Sequence, residues 1–174
     1  MIKYKKLKIP DLLLIEPYIF YDERGFFYES YNQNDFEKAI SRKINFVQDN
    51  HSKSSQGVLR GLHYQNKPFE QAKLIRVIQG EIWDIAVDIR DNSLTYGQWV
   101  GEILSAENKK QFWIPEGFAH GFYVLSETAE IVYKVNQFYS KEHEYTINWK
   151  NNNFKIDWPI VNNKIILSDK DNIL

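Results

Sequence analysis

At 174 residues, with no break in composition along its length, the chain is long enough for one domain with a real hydrophobic core. Its 22 lysines and arginines against 23 aspartates and glutamates leave a net charge of -1, which excludes a global basic field for nucleic acid. With no cysteine there is no disulfide, thiolate metal site or cysteine nucleophile. No apolar run approaches membrane-spanning length or forms a signal core behind Met1, so the expectation is a soluble, cytoplasmic protein with no membrane partner.

Aromatics are heavy, with 11 Phe, 11 Tyr and 5 Trp. That favours strands and predicts a core built from large rings. Residues 12–20 read as an edge strand interrupted at Pro17. A turn at 22–25 leads into a strand over 26–31, and one short helix is expected over 35–41, with Asn34 as its N-cap and Glu37 completing a capping box. Almost everything after that reads as strand and turn, over 46–50, 58–65, 74–79, 82–89, 99–104, 111–114, 120–125, 130–135 and 145–149. Gly80-Glu81 reads as a hairpin turn between two of them. In the strand that follows, Trp83, Ile85, Val87 and Ile89 share one face, and Asp84, Ala86 and Asp88 the other. Short strands at this spacing predict an all-β antiparallel sandwich or barrel.

The stretch Gly57-Val58-Leu59-Arg60-Gly61-Leu62-His63-Tyr64-Gln65 alternates like a strand but carries charge and imidazole. Strict alternation puts Val58, Arg60, Leu62 and Tyr64 on one face and Leu59, Gly61, His63 and Gln65 on the other. Neither face is cleanly apolar, as expected of a strand lining a cavity. Downstream, Pro115-Glu116-Gly117-Phe118-Ala119-His120 is a tight turn feeding a strand that presents a second imidazole. Together the two stretches resemble the paired motifs of cupin barrels. A metal-binding cupin would supply His-x-His and a carboxylate; here Gln65 takes the second histidine's place, and His63 with His120 makes a poor metal site even if Asp84 joins. No metal is therefore expected. What remains suits proton transfer: a histidine base for a C–H next to a ketone, Lys73 for the enolate oxygen, and a phenol such as Tyr133 across the pocket.

Asp22-Glu23-Arg24-Gly25-Phe26-Phe27, Phe46-Val47-Gln48-Asp49-Asn50-His51-Ser52, Val58–His63, Trp113–Phe122 and Leu167-Ser168-Asp169-Lys170-Asp171 closely resemble the dTDP-4-dehydrorhamnose 3,5-epimerase family. The resemblance runs from about Ile9 to Asp171. It implies a metal-free cupin-type jelly roll, working without a cofactor as a homodimer that exchanges N-terminal strands. The substrate implied is a dTDP-linked 4-keto-6-deoxyhexose, inverted at C3 and C5. By matching position His63 would be the general base and Tyr133 the general acid. The orienting aspartate falls in a motif offering both Asp169 and Asp171, and its place after the lysine selects Asp171. Lys73 and His120 match residues around the sugar and its C4 oxygen. Arg24, Glu29, Gln48, Asn50, Arg60, Glu144 and Lys170 fall on substrate-contacting positions, and Tyr139 on the position that stacks on thymine. Arginine forks suit a pyrophosphate in a protein of near-zero charge. The residues alone would allow an Arg24–Glu29 surface ion pair, Tyr133 in the core and Glu144 in a solvated loop. Rival readings are an epimerase of a single carbon, an epimerase of another nucleotide-linked 4-keto-sugar, and a catalytically silent nucleotide-sugar-binding cupin.

Overall fold

The computed structural model describes residues 2–173. In chain order its strands are β1 (Ile2–Lys6), β2 (Leu13–Pro17), β3 (Phe20–Asp22), β4 (Gly25–Phe27), β5 (Gln48–Ser55), β6 (Leu59–Gln65), β7 (Lys73–Gln79), β8 (Glu81–Asp88), β9 (Trp99–Ser105), β10 (Gln111–Ile114), β11 (Phe118–Val124), β12 (Thr128–Val135) and β13 (Glu144–Thr146). Helix α1 (Gln33–Ile40) lies between β4 and β5. One sheet has the order β1-β2-β10-β7-β12-β5, the other β13-β6-β11-β8-β9, and β3-β4 stands apart as a hairpin. Every pairing between these strands is antiparallel. The all-β sandwich expected from strand spacing is therefore found, as a jelly-roll barrel with one short helix.

Alternation decides where the core sits. Ile82 and Ala86 from one sheet meet Ile75, Val77, Phe112 and Ile131 from the other in the space between them. Ile85 and Val87, on the opposite face of β8, pack outward under the C-terminal segment with Trp149, Phe154 and Trp158. A third cluster lies on the outer face of the six-stranded sheet, where α1 brings Phe36 and Ala39 onto Leu13, Leu74 and Trp113. Each large apolar side chain so buried contributes about 1.5–3 kcal/mol relative to exposure. The expectation of a core of large rings holds in both places: Phe112, Phe118 and Phe122 lie between the sheets, while the tryptophans gather in the outer layers. All five tryptophans belong to the outer clusters, and the interior between the sheets retains open space.

Several local expectations are corrected. Residues 13–17 are not an edge strand, because β1 pairs along one side of β2 and β10 along the other. The sequence Ile-Lys-Tyr-Lys-Lys of β1 lacks an apolar period because most of it is exposed at the sheet edge. Gly80 is not a hairpin turn: β7 and β8 belong to different sheets, and Gly80 is the corner between them. It holds φ +73°, with Thr128 O where a Cβ would lie, so glycine is required there. The helix is capped by Asn32, which accepts from Asp35 N–H, not by Asn34. Glu37 instead accepts from Ile44 N–H and Lys43 Nζ, tying down the chain beyond the helix. Among the described residues no helix is long and apolar enough to cross a membrane.

Candidate active site

The strand expected to line a cavity does so, through an irregularity that alternation does not foresee. On β11, His120 is paired with His63 and Phe122 with Arg60, so Gly61 and Leu62 together oppose Gly121 alone. This bulge places Arg60 and His63, three positions apart, on one cavity, where strict alternation had put them on opposite faces. The close approach depends on glycine. Gly61 has φ +130°, and a Cβ on it would come within 2.5 Å of Gly121 Cα.

The cavity, about 280 Å³, opens between the two sheets. His63 and His120 reach it from β6 and β11, and Lys73 and Tyr133 from β7 and β12 of the facing sheet. His63 Nε2 is 2.5 Å from Asp171 Oδ1. Asp171 is 2% exposed, its Oδ2 accepts from Ser168 Oγ at 2.7 Å, and Gly61 N–H approaches Oδ1. Burial pushes this carboxyl up, but the hydrogen bonds from His63 and Ser168 outweigh it and hold it below its ordinary value. An ionised carboxylate only accepts, so the imidazole proton sits on Nε2 and Nδ1 keeps the free lone pair. Of the two aspartates the sequence offered, Asp171 meets the imidazole, and Asp169 is exposed.

A second His–Asp pair lies alongside. His120 Nε2 is 3.0 Å from both oxygens of Asp84, which is fully buried on β8. Burial lowers the proton affinity of His120 and raises that of Asp84. Asp84 was expected at most as a metal ligand, on the face of β8 opposite its apolar set; in the structure that Ala86 face is the one turned to the interior. Among the described residues no group of three or more His, Cys, Asp or Glu could share an ion. Lys73 Nζ donates to His63 O at 3.3 Å. Burial pulls its ammonium down to about 8, opposed by the charges of Asp84 and Glu144. Burial raises the Tyr133 phenol.

At the mouth, Tyr139 Oη donates to Glu144 Oε2 at 2.9 Å and Lys170 Nζ donates to Glu144 Oε1. Burial works against the Glu144 carboxylate, yet these bonds hold its pKa below the ordinary value. The bond to Glu144 is also the main reason the Tyr139 hydroxyl is raised. Glu144 thus begins β13 at the cavity instead of lying in a solvated loop. Gln48 and Asn50 line the same space from β5, with Gln48 Nε2 donating to Asn50 Oδ1 at 2.8 Å. Arg60 Nε donates to Ser54 Oγ.

Two expected site residues are not brought in by this chain. Arg24 sits on the β3–β4 hairpin with its side chain 86% exposed and paired to Asp22, not to Glu29. Glu29 accepts from Asn32 Nδ2 beside the helix. Gln65, which alternation put on the His63 face, also lines the cavity, whereas composition alone gave no sign of Ser52 or Gln71. These two are short-range polar positions with no chemistry of their own to mark them.

The sequence pattern of the dTDP-4-dehydrorhamnose 3,5-epimerase family matches residues 6–174. A Shigella flexneri protein named dTDP-4-dehydrorhamnose 3,5-epimerase is 61% identical over 166 residues, covering 95% of this chain and 91% of its own. A protein of the same name from Pseudomonas aeruginosa is 57% identical over 169 residues, covering 97% and 92%. The crystal structure of the Legionella pneumophila dTDP-6-deoxy-D-glucose-3,5-epimerase with dTDP-4-keto-L-rhamnose superposes with a TM-score of 0.95 at 51% identity, covering 98% of this chain and 90% of that one. Sequence and backbone agree over almost the whole length, and the chain belongs to the dTDP-4-dehydrorhamnose 3,5-epimerase family.

Proposed function

We propose that the protein is an isomerase that inverts C3 and C5 of dTDP-4-dehydro-6-deoxy-D-glucose, giving dTDP-4-dehydro-L-rhamnose, by proton transfer without a cofactor. His63 Nδ1 takes the proton next to the C4 ketone while the C–H electrons move into the C4 oxygen. The Lys73 ammonium stabilises that enolate oxygen, and His120 borders the sugar. Tyr133 returns a proton to carbon from the opposite face as the enolate electrons reform the ketone; His63 then gives its proton to solvent and Tyr133 regains one, so only the configuration changes. Arg60 and Lys170 serve the diphosphate, Tyr139 stacks on thymine, and Gln48, Asn50 and Glu144 complete the nucleotide-sugar contacts. The observation that carries this reading is that a carboxylate-oriented imidazole and a half-buried phenol line one cavity from facing sheets, with a buried ammonium among them. Membership of a family whose relatives carry this activity by name supports it.

A homodimer completes the site in this reading. The β3–β4 hairpin projects Tyr21, Phe26 and Phe27 into solvent together with Arg24, and a second copy covers these rings while its cavity receives Arg24 and Glu29. A cytoplasmic setting fits a cysteine-free chain.

The test is NMR of the 4-keto substrate in deuterated water. Deuterium at C3 and C5 is expected with the wild type, none with His63→Ala, and exchange without completed inversion with Tyr133→Phe. Exchange at C3 alone would make it a single-carbon epimerase, and binding without any exchange a silent cupin.

A further inference from the structure

Tyr139 is carried to the cavity mouth by Gln137–Ser140, a segment outside any helix or strand. Each of its four residues is held through its backbone by a glutamine side chain from elsewhere. Gln71 Nε2 donates to Gln137 O at 2.8 Å, and Gln65 Nε2 to Phe138 O at 3.2 Å. Gln48 Oε1 accepts from Tyr139 N–H at 3.2 Å, and Gln65 Oε1 from Ser140 N–H at 2.7 Å. Gln65 Nε2 also donates to Phe69 O at 2.5 Å, which ties the segment to the loop between β6 and β7.

Gln65 is 6% exposed, and every polar atom of its side chain is spent on backbone. Only a carboxamide can meet two carbonyls and an N–H from one planar group without charge. A carboxylate of the same size would face two carbonyl oxygens, and an apolar side chain would leave three backbone groups unpaired.

We infer that Gln65, assisted by Gln71, is a positioning residue for nucleotide recognition: it fixes the Tyr139 segment in its binding conformation rather than touching the reacting sugar. The inference rests on the reading of Tyr139 as the platform for the base. An irregular segment left loose would have to be ordered by the ligand, and that ordering would be subtracted from affinity. Loss of the staple therefore falls on nucleotide affinity and KM, and leaves the proton-transfer groups on β6, β7 and β12 where they are.

The test measures dTDP binding by titration calorimetry, and kcat and KM with the 4-keto-sugar, for the full-length wild type, Gln65→Met, Gln71→Met, Tyr139→Ala and the Gln65→Met/Tyr139→Ala double variant. Gln65→Met is expected to weaken dTDP about tenfold and raise KM to match, with kcat changed less than about threefold; Gln71→Met weakens dTDP about threefold. In the Tyr139→Ala background Gln65→Met adds less than about twofold, because the element it positions is gone. The inference is overturned if Gln65→Met lowers kcat as much as it raises KM, or adds its whole effect to Tyr139→Ala. If Gln65→Met does not fold, unchanged dTDP affinity in Gln71→Met overturns it instead. Unchanged affinity in Tyr139→Ala removes the reading of the platform and the inference with it. A weakened Tyr139→Ala beside an unaffected Gln65→Met sinks the inference alone.

Discussion

His63 and Asp171, 108 positions apart in sequence, meet through a hydrogen bond of 2.5 Å between Nε2 and Oδ1. The bond fixes which nitrogen keeps a free lone pair, because the carboxylate holds the imidazole proton on Nε2. Asp171→Asn removes that control, since an amide can satisfy either tautomer. Deuterium wash-in at C3 and C5 is expected to slow by about 10²- to 10⁴-fold with little change in KM. Asp169→Asn, at an exposed position, is expected to stay within about twofold of wild type.

Lys73 carries a pH dependence of defined sign. Burial pulls it to about 8, so it is an ammonium below that pH and a neutral amine above it. Turnover is expected to fall on the basic side as Lys73 loses its proton, and Lys73→Met to cut kcat by about 10²- to 10³-fold across the range. Stability moves the other way. The buried charge destabilises the fold fully below about 8, and the penalty is relieved as pH rises toward the ordinary value of 10.5. Lys73→Met is therefore expected to raise the melting temperature at neutral pH, by an effect on the order of 1–3 kcal/mol.

Gly61 sits where β6 and β11 come closest. Gly61→Ala would place a methyl group 2.5 Å from Gly121 Cα at φ +130°. Thermal unfolding is expected to show a loss of about 2–4 kcal/mol. Activity should fall more than the unfolded fraction accounts for, because the bulge sets both Arg60 and His63.

Tyr123 is fully buried beneath the C-terminal segment, donating to Lys164 O at 2.8 Å and accepting from Val161 N–H at 3.1 Å. Tyr123→Phe is expected to cost about 1–3 kcal/mol by denaturant titration while kcat stays within about twofold. A larger drop in kcat would mean that the segment also governs the Asp171–His63 bond at its end.

Mixing two inactive variants tests the exchanged hairpin. Each site would take His63 from its own chain and Arg24 from the other, so a heterodimer of Arg24→Ala and His63→Ala has one intact site. Random reassociation is expected to restore roughly a quarter of wild-type activity, and no recovery would place Arg24 outside the partner's cavity.

The strand pattern and the cavity-lining role of β6 were legible because charge and imidazole stand out in an alternating stretch, whereas most other site positions came from the resemblance of whole motif blocks to the family. The bulge was not, because its mark in the sequence is two glycines, and glycines also mark plain turns. Gly80 misled for the same reason: a tight link between two strands does not say whether they pair or part into separate sheets. Asn34 and Asn32 are equally good caps by composition, and the structure selects the one whose side chain reaches a free N–H. Asp84 was named only as a possible metal ligand, because its partner His120, 36 residues on, is set by strand order rather than by spacing. Arg24 and Glu29 are a different case, since no single copy of the chain brings them to the cavity.

The placement of the tryptophans has a spectroscopic consequence. Trp83, Trp99, Trp149 and Trp158 gather under the C-terminal segment, in edge-on contacts linking Trp83 to Trp99 and Trp158, and Trp158 to Trp149, while Trp113 lies beneath α1. None of the five lines the cavity. Indole emission is therefore a gauge of how firmly the outer wrapping is seated, and filling the cup with a nucleotide leaves it nearly silent.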